Sequence, residues 1–154
     1  MMTIKNIIAA VLLFSVAFVS CKKKEKEPTK EELLTRGKWK LTGASAAGGL
    51  YDLMTVLKDC QKDNTFIFNS NKSITVDEGP SKCNDSAKQT TTDGQWSLTN
   101  NDMKMTISGE KITAGFGNLT GDVLKIEASS FQIKKDTIVG GIATTAIVTF
   151  TNIN

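Results

Sequence analysis

The 154-residue chain contains no histidine. That gap removes Ser–His and Cys–His nucleophile pairs and every imidazole metal ligand. Its carboxylates are scattered, and the neighbours Asp77 and Glu78 point to opposite faces of a strand. Such a layout suits paired acid–base work poorly and reads as solvated rim charge. Gly115 and Gly117 flank Phe116 without the third glycine or following helix that a dinucleotide-binding turn needs. These gaps point to a protein that is not an enzyme and holds no cofactor and no metal. Arginine is nearly missing as well, Arg36 being the only one, and the part after the tether is close to neutral. No basic stripe argues for nucleic acid. No apolar run reaches the roughly 20 residues that a membrane-spanning helix requires.

What is present first is a delivery segment. Lys5 precedes the apolar run Ile7 to Val19, which ends in Ser20-Cys21, the pattern of a secretory signal. A strongly hydrophilic stretch, Lys22 to Pro28, follows. Phe18-Val19-Ser20-Cys21 resembles the lipobox of bacterial lipoproteins, with Phe18 where leucine is usual. The resemblance implies cleavage after Ser20 and acylation of Cys21, palmitate among the chains. Several chains on one cysteine would make the anchor stable, since a single one holds only marginally. Lys22 stands where an aspartate would mark inner-membrane retention, so the cell envelope, at the outer membrane, is the expected location. The chain thus divides into a signal peptide (1–20), a lipidated tether (21–32) and a domain (33–154). Loss of residues 1–20 takes away Lys5 alone among the charged residues, leaving a net +2, much of it on tether lysines such as Lys22, Lys23 and Lys24.

With Cys21 committed to lipid, Cys60 and Cys83 remain in an oxidising compartment. A disulfide between them closes a 24-residue loop, counting both ends, and stabilises by about 3–4 kcal/mol on chain-entropy grounds. A zinc site would lack its other ligands.

From residue 35 onward the chain is rich in Thr, Ile, Val, Phe and Gly, with many Asn and Asp, which favours short strands and tight turns. Before it, Thr29 with Glu32 three residues on, then Leu33-Leu34, forms a capped short helix that must pack on something. Strands are expected to begin near Lys38, Thr65, Ser73, Gly94, Met103, Val123, Ser130 and Ala143. Leu50, Leu53, Met54 and Leu57 fall at helical spacing, a short helix or lid. Gly109 to Gly121 reads as an extension of the preceding strand or a rim loop. Eight antiparallel strands with short turns close into an all-β, up-and-down barrel that leaves no edges, and a monomer is expected.

Gly37-Lys38-Trp39 resembles the glycine–x–tryptophan signature of lipocalins, on a first strand behind a helical plug. Asp59-Cys60-Gln61-Lys62-Asp63-Asn64 before Phe66-x-Phe68, Asp77-Glu78-Gly79 before Cys83, and Gly94-Gln95-Trp96-Ser97-Leu98 are similar to lipocalin-like domains of small Gram-negative lipoproteins. The resemblance covers residues 33–151. The last-strand arginine that covers the tryptophan in many lipocalins has no counterpart here.

Alternation assigns an inward set: Trp39, Leu41, Phe66, Phe68, Ile74, Val76, Trp96, Leu98, Met103, Met105, Leu124, Ile126, Phe131, Ile133, Val148 and Phe150. Gly37 and Trp39 form the barrel floor. Phe66, Phe68, Trp96, Met103, Met105 and Phe131 are the candidates for lining a cavity, although an eight-stranded interior is only just wide enough for side chains or one small ligand. Two functions stay open. One is binding of a small apolar ligand, entered past Gly43 to Leu57. The other is an interaction module for an envelope protein or glycan, protease inhibition included, with a filled barrel as scaffold.

Overall fold

The computed structural model describes residues 26–113 and 117–154. Cys21, with the signal segment, and Ala114 to Phe116 lie outside the described residues. Eight strands close a barrel: β1 (Lys38–Ala46), β3 (Thr65–Phe68), β4 (Ser73–Asp77), β5 (Thr90–Thr99), β6 (Lys104–Ser108), β7 (Leu119–Ile126), β8 (Ser130–Val139) and β9 (Ile142–Asn152). Each pairs antiparallel with its sequence neighbour, and β9 returns to β1 from Trp39↔Asn152 to Ala46↔Ala146. A two-residue strand, β2 (Tyr51–Asp52), hairpins onto the end of β1.

The closed end carries helix α1 (Lys30–Arg36). Its capping box forms as the spacing requires: Thr29 Oγ1 accepts from Glu32 N at 3.1 Å, and Glu32 Oε2 accepts from Thr29 N at 2.8 Å. The reciprocal bond from the Thr29 backbone holds the Glu32 carboxyl below its usual range. The fold takes in Lys30 and Glu31 along with the domain expected from residue 33. Lys30 Nζ donates to the Asp102 carbonyl at 3.0 Å, and Glu31 pairs with Lys72 at 2.6 Å. Lys72 Nζ also lies 4.1 Å from the Trp96 ring centroid, a cation–π contact on the second tryptophan rather than the first.

Most of the inward set is buried as alternation requires: Trp39, Leu41, Phe66, Phe68, Ile74, Val76, Trp96, Met105, Ile126, Phe131, Ile133, Val148 and Phe150. Leu98 is half-buried against this core. Two members are not inside. Leu124 is 45% exposed because β7 carries a bulge: Val123 pairs with Ile133 and Lys125 with Gln132, leaving Leu124 as an extra residue turned outward. Met103 is 52% exposed because it precedes β6, in a turn where Asn100, Asn101 and Asp102 all take left-handed backbone. A bulge at Thr42 in β1 acts the other way, moving the buried face from Trp39 and Leu41 to Ala44 and Ala46.

Residues 47–57 form two short 3-10 turns around β2 instead of a helix. Asp52 Oδ1 accepts from Met54 N at 2.9 Å and the Asp52 carbonyl accepts from Thr55 Oγ1 at 2.7 Å, local bonds that compete with helical ones. Leu57 is buried and Met54 packs on the core, whereas Leu50 is exposed. β7 begins at Leu119, before the expected Val123. Residues 109–113 form a turn, held where Thr113 N donates to the Gly109 carbonyl at 3.1 Å.

Candidate functional site

The lower barrel is filled by aromatic rings. Phe131 stacks on Phe150 at 4.6 Å between centroids and meets Trp39 edge-on at 4.9 Å and Phe68 at 5.6 Å. Phe68 meets Trp96 at 5.9 Å. Such edge-on and stacked pairs add about 0.5–1.5 kcal/mol each beyond their area. Both indole N–H groups are satisfied within the fold, Trp39 by the Leu34 carbonyl at 2.8 Å and Trp96 by the Asn69 carbonyl at 3.0 Å. Phe66, Phe68, Trp96, Met105 and Phe131 are thus core side chains, and none of them lines either of the cavities below. Met103, on the outside, lines neither.

Open space lies at the other end, where β1 and β4 finish. A cavity of about 590 Å³ is walled by helix α2 (Asp59–Lys62), the loop after β4 and the turn after β6. Its size falls within the roughly 300–1,000 Å³ of small-molecule sites. A second cavity, about 150 Å³, lies under the 3-10 segment and is lined largely by apolar side chains, including Leu53, Val56, Leu119, Ile138 and Val148. Leu53 and Val56 bring part of the Gly43 to Leu57 segment to its wall.

The large cavity's wall is fixed at three points. Cys60 on α2 and Cys83 in the loop form the expected disulfide, with Cα atoms 5.1 Å apart, and both line the space. Asn64, just before β3, is buried; with its amide nitrogen toward the carbonyls it donates to Cys60 O at 3.2 Å and Glu78 O at 3.3 Å. Asp93, at the bulge opposite β4, accepts from Lys111 N at 2.7 Å and Glu110 N at 3.3 Å, which shapes the 109–113 turn.

Glu78 corrects the reading of a solvated rim pair. Adjacent residues do point to opposite faces, and one of those faces is the interior. Asp77 stays at the surface, accepting from Gln89 Nε2 at 2.6 Å and Gly79 N at 3.0 Å; the Gln89 bond, then the Gly79 bond, holds its carboxyl below the usual range. Glu78 is only 5% exposed. Its Oε1 pairs with Lys111 Nζ, which also donates to Thr91 Oγ1 at 3.2 Å. Its Oε2 is buried, with no hydrogen-bond partner among the described residues. Alternation continued one residue past β4 would have placed Glu78 inside; Asn64, Lys111 and Thr113 carried no comparable signal, since they sit in turns. Among the described residues no group of three or more His, Cys, Asp or Glu is placed to hold a metal ion.

The bovine odorant binding protein, solved in complex with a selenium-containing odorant, is 10% identical, with 86% of this chain and 78% of that one covered at a TM-score of 0.43. No curated protein matches the sequence. Residues 35–139 match the lipocalin-like domain family, a span that runs from the end of α1 to the end of β8. On that match, which takes in more than half its length, the chain belongs to the lipocalin-like domain family.

Proposed function

We propose that this protein is a lipid-anchored, non-catalytic binding protein of the bacterial cell envelope, with a small-molecule site at the open end of its barrel. The observation that carries the reading is the 590 Å³ cavity, braced by a disulfide and set above a barrel whose lower half is packed solid. Its wall mixes polar groups with apolar surface, so the ligand has a polar part as well as the apolar body expected of a lipocalin-like site. Anchoring rests on the signal segment and Cys21. Lys30 and Glu31 dock on the closed-end turns, so the chain enters the barrel at the end opposite the cavity.

Native mass spectrometry of the full chain purified from its own membranes tests the binding role. A small-molecule adduct that survives purification is the expected result; a bare protein mass at every activation energy contradicts it. A second reading, an envelope protein or glycan held on the rim, is favoured by the exposed apolar side chains Leu50, Val56, Ile138 and Ile142 near the open end. Co-purification of a stoichiometric protein or glycan without an adduct would favour it.

A further inference from the structure

Three carboxylates, of Glu78, Asp93 and Glu110, belong to the wall of the large cavity, and among its described residues Lys111 is the only base. Two of these four charges are already engaged. Asp93 gives both oxygens to the backbone of Glu110 and Lys111, and the Lys111 ammonium is held between Glu78 Oε1 and Thr91 Oγ1. The remaining buried acceptor is Glu78 Oε2, out of contact with solvent and without a partner among the described residues. Buried polar atoms in native proteins are nearly always paired, so one that is not, in the wall of a cavity, marks where a partner is missing.

We infer that the cavity takes its ligand by a cationic, ammonium-type end that docks on the free oxygen of Glu78. This rests on the binding role proposed above and narrows the ligand's class. An anionic group would meet an excess of negative charge and a lysine already occupied. A cation gains from all three carboxylates, and its N–H donors supply what Oε2 lacks. Glu78 belongs to the cavity wall, and Oε2 is the oxygen of its carboxyl that Lys111 does not hold. The carbonyls of Cys60 and Glu78, which accept from Asn64, keep the backbone of this wall in place.

The test is an amide NMR titration of the full chain in lipid nanodiscs with three probes of one length: butylammonium, 1-butanol and butyrate. Butylammonium is expected to shift the amides of Asn64, Glu78 and Lys111 at least tenfold below the concentration butyrate needs, and Glu78→Gln to weaken it at least tenfold. Butanol or butyrate moving those amides as readily as butylammonium overturns the cationic class while leaving the cavity a binding site. No probe moving them overturns both. The probe comparison in the unsubstituted chain decides the matter even where Glu78→Gln fails to fold.

Discussion

The indole of Trp39 lies directly against Gly37: a β-carbon on that glycine would come within 2.7 Å of Trp39 Cε2. The ring cannot yield, because its N–H is tied to Leu34 O at 2.8 Å and its edge is packed on Phe131. The glycine–x–tryptophan pair is therefore one device, which seats α1 on the barrel floor. Gly37→Ala is expected to destabilise by about 1–3 kcal/mol, the usual cost of overpacking. Urea unfolding followed by tryptophan fluorescence measures it, and an unchanged midpoint would refute the close approach.

The disulfide closes the loop from α2 to Cys83 and holds two sides of the large cavity. Its reduction is expected to cost about 3–4 kcal/mol and to weaken any ligand bound there. Unfolding with and without reductant gives the first value, and the adduct fraction in native mass spectra gives the second.

Removing Lys111 leaves a buried carboxylate without its charged partner. Lys111→Met is expected to destabilise by about 2–3 kcal/mol, and adding Glu78→Gln to recover part of the loss. A double-mutant cycle by thermal unfolding measures the coupling; additive effects would mean that the pair contributes nothing.

Much of this arrangement was legible in the sequence. Trp39 with Leu41, Phe66 with Phe68, and Ile74 with Val76 alternate cleanly, so period alone placed them inside. It failed where backbone irregularity resets the period: the bulges at Leu124 and Thr42, and the left-handed run before Met103. The cysteine pair was legible from compartment and count. The site itself was not, because Asn64, Lys111 and Thr113 are polar residues in turns, where residue type speaks for solvent; tertiary structure buries Asn64 and Thr113 and half-buries Lys111, and at Glu78 the carboxylate outweighed the alternation that continues inward past Val76.

Asp77 supplies a pH signature. Its carboxyl is held low by Gln89 and then by Gly79, so it stabilises the fold above its unfolded value of about 3.9 and loses that contribution as pH falls through the lower folded value. The stability gap between the natural chain and Asp77→Asn is expected to be full near neutral pH and to close in acid. Unfolding midpoints across that range test it, and a gap independent of pH would contradict it. The pair Lys104–Asp122, 2.9 Å apart, is exposed on the barrel wall, and its loss should change stability little.

Cys21→Ser is expected to move the protein from the membrane to the soluble fraction. Retention at the membrane would show that something other than an acylated Cys21 holds it there.

The placement of the ligand at the open end is tested most directly by filling that space. Ala87 lines the large cavity at a half-exposed position in the loop after β4, so a bulky side chain there blocks the space without entering the aromatic core. Native mass spectra of the full chain, natural and Ala87→Trp, should show the small-molecule adduct only in the first, at equal thermal stability. An adduct kept at full occupancy by Ala87→Trp would place the ligand elsewhere.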